Sequence, residues 1–216
     1  MSVTRRTVVT GISATLLLTQ IPGAAFAQSR KKVDPAELHK PGPLGDHVLG
    51  KDDAPVTIVE YASFTCGHCA NFHANTFPKL KEKYIDTGKV RFIFRVFPTA
   101  PAELSIAAGM LAHCAGKDKY FAMTSALFET QRNWASSAQP VPVLLKLANQ
   151  AGITEEKFRE CLSDKKLAQE IQMTAVRGFE TFGVEATPTL FINGTTKIDG
   201  DTSIEALSKV IDPLIK

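Results

Sequence analysis

Long apolar runs are scarce in this chain. The longest, Val8–Ile21, is broken by Thr10, Gly11, Ser13 and Thr15. It falls short of the roughly 20 residues that span a bilayer, which excludes a polytopic membrane protein. Charge of one sign is missing too. Lys and Arg number 25 against 22 Asp and Glu in 216 residues, a net charge of +3. Arg5 and Arg6 supply two of those cations, so the rest is close to neutral. Such a balance gives no electrostatic case for nucleic acid or a membrane surface as partner. Repeats and low-complexity segments are absent, and 44% hydrophobic residues is globular composition, neither disordered nor collagen-like. There are only four cysteines, so their positions must carry the argument.

What is present begins with an export signal over residues 1–27. Arg5 and Arg6 form a basic start, Val8–Ile21 the apolar stretch, and Ala25-Phe26-Ala27 a small-x-small cleavage site after Pro22-Gly23. The alternative is an uncleaved anchor, for which the run is short. Thr4-Arg5-Arg6-Thr7 resembles a twin-arginine signal, although paired arginines also occur on the general secretory route. Export places the cysteines where disulfides persist.

Residues 28–47 are charged, rich in Pro and Gly and without apolar periodicity, and read as a linker or extended arm. Residues 48–100 carry a β-α-β pattern. Pro55–Ala62 is a β-branched buried strand, a helix runs from about Cys66 to Tyr84 with a kink expected at Pro78, and Val90–Val96 is the next strand. Residues 101–181 hold only helical stretches, separated by Gly116, the Asn133–Gln139 loop around Trp134, and Gly152. That is too long for a loop, so it reads as an inserted helical subdomain. Residues 182–216 return to strand at Thr189–Ile192, turn at Asn193-Gly194, and end in a helix at Ile204–Ile211. The fold class is α/β, with the first two strands parallel across a right-handed crossover.

Cys66-Gly67-His68-Cys69 opens a helix directly after a buried strand. Unpaired amides and the positive end of the helix dipole there favour thiolate over thiol. His68, if protonated, adds positive charge. Cys66 is then the exposed attacker, and Cys69, one turn in, the resolving thiol. Half of a zinc site, with His73 as a third ligand, is the competing account.

Several motifs together resemble DsbA-type proteins of the thioredoxin superfamily: VTIVEYASFTCGHC, the following N-x-F-H, the helical insertion, and the late A-T-P-T-L-F-I-N-G. The resemblance covers about residues 46–216. It implies a thioredoxin fold with an inserted helical domain, and thiol–disulfide exchange without a cofactor. It implies that Thr187-Pro188 is a cis-proline loop that binds substrate backbone, that Glu60 is a buried proton acceptor, and that His68 stabilises the thiolate. It further implies reduced, cysteine-containing exported proteins as substrates and a membrane reoxidant of the DsbB type. Gly-His between the cysteines, and Thr before the proline, depart from the strongest oxidases. With Cys66–Cys69 as the active pair, Cys114 and Cys161 remain. Some members of the family pair two cysteines in this region, and such a bridge is worth about 4 kcal/mol in the loop-entropy model. Two free thiols are the alternative.

The leading expectation is therefore a periplasmic dithiol oxidase. An isomerase or reductase kept reduced by a membrane electron donor is the second reading. Residues 28–47 lack the heptads or strand pattern of a dimerisation module, which favours a monomer. A copper- or zinc-binding module is the third, weakened by one CxxC supplying only two ligands.

Overall fold

The computed structural model describes residues 33–215. The expected export segment, 1–27, lies outside them, as does the start of the arm.

Strand β2 (Val56–Ala62) is the axis of the molecule. All seven of its residues are buried, as a β-branched run covered on both faces requires. Side chains alternate: Val56, Ile58, Glu60 and Ala62 face one way, Thr57, Val59 and Tyr61 the other. On one side β2 pairs in parallel with β3 (Val90–Val96), and on the other antiparallel with β4 (Thr189–Ile192). β5 (Thr196–Asp199) pairs antiparallel with β4, and β1 (Val48–Leu49) with β3, giving the order β1-β3-β2-β4-β5. The β4–β5 turn uses Asn193 and Gly194 at φ 49° and 68°, the left-handed pair that a two-residue hairpin needs. A Cβ on Gly194 would lie 2.7 Å from the Pro35 Cα, so glycine is required there for space as well.

The helix after β2 is interrupted. α2 (Gly67–Asn75) ends at Thr76, and α3 (Phe77–Leu80) starts with Pro78 in its first turn, where a missing N–H costs nothing. The break thus falls before the proline rather than at it. One π-helical turn, Lys81–Ile85, completes the segment. Residues 101–181 form α4 (Ala102–Cys114), α5 (Tyr120–Glu129), α6 (Gln131–Ala135), α7 (Pro140–Gln150), α8 (Glu155–Ser163) and most of α9 (Lys165–Phe182). Of the loop expected over Asn133–Gln139, the first three residues close α6 and the rest joins it to α7. Trp134 is fully buried, and its Nε1–H donates to the Leu127 carbonyl at 2.9 Å. Helices and sheet share one continuous core, with Phe64 stacked on Phe128 at 4.9 Å and tilted against Phe94 at 5.4 Å. α10 (Ile204–Ile211) buries Leu207 and Ile211 against the same core. Cys114 on α4 and Cys161 on α8 are disulfide-bonded, with Cα atoms 6.1 Å apart.

Residues 33–47, expected as an extended arm, instead fold onto the second face of the sheet. α1 (Pro35–His39) is capped by Asp34, whose side chain accepts from the Ala36 amide, and it buries Leu38 completely. The physical reason lies on β3. Arg95 faces this side and donates from Nε and Nη2 to the two oxygens of Asp46, at 2.9 and 2.7 Å. It also donates to the Tyr61 hydroxyl at 3.0 Å and the Lys40 carbonyl at 3.1 Å. The Arg95 and Asp46 side chains are only 2% and 5% exposed. Removing one partner of such a pair leaves a buried, uncompensated charge. Asp46→Ala is therefore expected to destabilise the protein by about 3–5 kcal/mol. Urea unfolding checks this, and a loss below about 1 kcal/mol would show that the pair behaves like a surface contact.

Candidate active site

β2 ends at Ala62, and a tight turn delivers Cys66 to the start of α2. The turn is held by hydroxyls. Ser63 Oγ accepts from the Thr99 amide at 3.1 Å and lies 2.9 Å from Ser105 Oγ, which accepts from the Phe64 amide at 3.1 Å. Thr65 Oγ1 donates to the Thr99 carbonyl at 2.9 Å. From α6, Gln131 Nε2 donates to the carbonyls of Phe64 and Cys66 at 2.8 and 2.9 Å. Helices α4 and α6 of the insertion thus clamp the turn that carries the reactive cysteine.

Cys66 and Cys69 are both free thiols. Cys66 occupies the N-cap position of α2 and makes no side-chain cap bond to the helix. Half-buried, its Sγ lies 3.3 Å from the Thr187 carbonyl, to which the thiol donates. Its pKa is lowered to about 5. The main cause is a hydrogen bond from the Cys69 thiol, followed by the Thr187 side chain and the amides of Cys69 and His68, all working against partial burial. Cys69 is completely buried, and its pKa is pushed far up. Burial is the largest cause there, with the Cys66 sulfur and the charge of Glu60 adding to it. The two sulfurs are therefore sharply unequal: one a thiolate at neutral pH, the other held as a thiol.

The expected residues fall as follows. Thr187-Pro188 is a cis peptide facing Cys66, with Pro188 buried. Glu60 is fully buried beneath the pair. The His68 side chain is exposed, and it is the His68 amide that contributes to the shift at Cys66. Cys114 and Cys161 bridge α4 to α8. His73, weighed as a zinc ligand, is engaged with Glu60 instead, its Nε2 2.9 Å from the carboxylate. Among the described residues no three His, Cys, Asp or Glu side chains are grouped to hold a metal. Sequence reasoning missed Ser105, a polar residue on the largely apolar α4, and Gln131, the first residue of the short polar α6.

A thioredoxin fold with a helical insertion clamping its dithiol is the build of the DsbA-like thiol–disulfide oxidoreductases. Comparison with known proteins agrees. The family model described as Thioredoxin matches residues 44–213, and the chain belongs to that family. A relative from Rickettsia bellii described as a protein-disulfide oxidoreductase is 34% identical over 174 residues, 79% of this chain and 65% of that one. The chain thus spans a little under two thirds of that relative. Disulfide bond formation protein D of Bacillus subtilis is 30% identical over 157 residues, 71% of this chain and 70% of its own. Among solved structures, alpha-DsbA1 of Wolbachia pipientis superposes with a TM-score of 0.77 at 34% identity, covering 84% of this chain and 96% of that one. BdbD of Bacillus subtilis gives 0.69 at 27% identity, covering 79% and 92%.

Two outcomes follow for Cys66. Its alkylation rate should titrate with a midpoint of about 5, and Thr187→Val, which removes one stabilising hydrogen bond, should move that midpoint up. The folded pKa lies below that of an unfolded thiol, ~8.5. Stability contributed by the thiolate is therefore complete above that value, declines as pH falls and is lost below about 5. The disulfide form has no such contribution. The melting-temperature difference between dithiol and disulfide forms should change with pH across this window, and a constant difference would contradict the assignment.

Proposed function

We propose that this chain is an exported dithiol oxidase that donates its Cys66–Cys69 disulfide to reduced proteins. The observation carrying the proposal is the inequality of the two thiols. A dithiol stabilised as the Cys66 thiolate makes the reduced form favourable, and hence the disulfide form a willing oxidant.

In the reaction a substrate thiolate attacks Cys66 Sγ. The Cys66–Cys69 bond breaks, a mixed disulfide forms on Cys66, and Cys69 leaves as a thiolate. It is protonated in its buried position, with Glu60 as the proton carrier. A second substrate thiolate attacks the substrate sulfur, expelling the Cys66 thiolate that the helix start stabilises. The cis Thr187-Pro188 loop, facing Cys66, is the place for substrate backbone to lie. His68 acts chiefly through its amide, with its exposed imidazole adding charge when protonated. The Cys114–Cys161 bridge has a structural role in the insertion. The reading further includes cleavage of residues 1–27 after export to the periplasm by a twin-arginine or general route, a monomeric state, and return of electrons to a DsbB-like membrane partner.

Equilibration of Cys66–Cys69 with a glutathione buffer tests the direction. Cys114 and Cys161 are followed separately by mass. A potential near about −120 mV is expected of a disulfide donor. One near about −270 mV would mark a reductant or isomerase kept reduced by an electron donor, and would overturn the oxidase reading.

A further inference from the structure

His73 has no part in the steps above, yet it is the residue that meets Glu60. β2 turns Glu60 toward α2, where His73 follows Cys69 by one turn on the same helix face. Both side chains are closed to solvent, His73 at 3% exposure and Glu60 at 0%. Nε2 of His73 lies 2.9 Å from one carboxylate oxygen and 3.2 Å from the other. The imidazole stacks on Phe128 at 4.1 Å, with Phe77 at 4.8 Å and Phe94 at 5.8 Å around it. Its Nδ1 meets no acceptor among the described residues. A neutral imidazole keeps its proton on the nitrogen that has an acceptor. Nε2–H therefore donates to the carboxylate, and Nδ1 carries the lone pair.

A carboxylate sunk among phenylalanines is costly unless a donor holds it. Among the described residues His73 is the basic side chain that pairs with Glu60. The other titratable groups that feel the Glu60 charge are Cys69 on α2 and Tyr120 on α5. β3 and α3 present Phe94 and Phe77 to the imidazole, and both rings are uncharged.

We infer that His73 is a positioning residue for the proton of Cys69: its Nε2–H holds the Glu60 carboxylate in place so that it accepts that proton. The inference rests on the reading of Glu60 as proton carrier. The step runs when a mixed disulfide on Cys66 is resolved from within. Cys69–SH gives its proton to Glu60, leaving Cys69–S⁻ and a neutral carboxylic acid. The Cys69 thiolate attacks Cys66 Sγ, the Cys66–Cys69 bond forms, and the outer sulfur departs as a thiolate.

The test uses the reduced protein mixed with oxidised glutathione over a pH series, acid-quenched and weighed intact. The glutathione adduct on Cys66 forms at a rate set by the Cys66 thiolate, then decays at a rate set by Cys69. In His73→Phe, which keeps a ring on Phe128 but lacks the N–H, formation should be unchanged. Decay at neutral pH should slow about tenfold or more, the worth of a hydrogen bond to a charged group, and its pH profile should shift. His73→Gln, which can still donate, should recover most of the rate. Should His73→Phe fail to fold, Gln is compared with His73→Leu on the same readout. Folded variants that decay with the wild-type pH profile would overturn the inference, as would a Gln variant as slow as Phe. If the wild-type protein forms no adduct on Cys66, the thiol-exchange reading itself fails. If adducts form but decay unchanged in Glu60→Gln, the role of Glu60 fails.

Discussion

The turn from Ala62 to Gly67 is buried on most sides, so its amides and carbonyls must be met inside the protein, where an unpaired polar group is costly. No residue of the turn can meet them all. Ser105 and Gln131, from the helical insertion, supply what is missing, with Ser63 and Thr99 alongside. This accounting ties the two parts of the chain together. The insertion is held to the sheet by shared aromatic packing, but it is this hydrogen-bonded clamp that fixes where the first turn of α2 begins. The position of Cys66 relative to the α2 amides follows from it, and so does the low pKa of its thiol.

The chemistry then rests on a gradient of exposure along one helix. Cys66 is half-open at the N-terminus, where dipole and amides favour negative charge. Cys69, one turn inward, is enclosed and resists ionisation. Glu60 and His73 are buried beside it. Burial keeps Cys69 a thiol, while hydrogen bonds from Cys69, Thr187 and the first amides of α2 favour the Cys66 thiolate. The cis Thr187-Pro188 loop closes the outer end of this gradient, supplying a carbonyl and a side chain to the exposed sulfur.

Much of this was legible before any coordinates. The β-branched run of β2, the CxxC at a helix start, the Thr-Pro before β4 and the Asn-Gly turn are local signals, each with its own chemistry. The arm was misread because α1 buries a single residue, Leu38, and five residues with one buried side chain have no periodicity to detect. Its reason for folding is Arg95 on a distant strand, which no local pattern announces. The position of His73 posed a similar difficulty. Helical spacing placed it correctly below Cys69, but its partner depended on which face of β2 carries Glu60. The alternation of β2 does contain that information, once the side bearing the helix is known. Ser105 and Gln131 were invisible, since a polar side chain on a helix becomes informative only when the groups it satisfies are in view.

The sheet order has a consequence for how the chain comes to its reactivity. β4 pairs with β2 across more than a hundred intervening residues, and Thr187 reaches Cys66 only through that pairing. Contacts so distant in sequence are late to form, because the intervening chain must be closed first. Until that pairing forms, Cys66 lacks the hydrogen bond from Thr187, whereas those from Cys69 and the first amides of α2 need only the local turn and helix. The last long-range pairing therefore adds the final part of the sulfur's stabilisation, and the chain gains its full reactivity only once the sheet is closed around it.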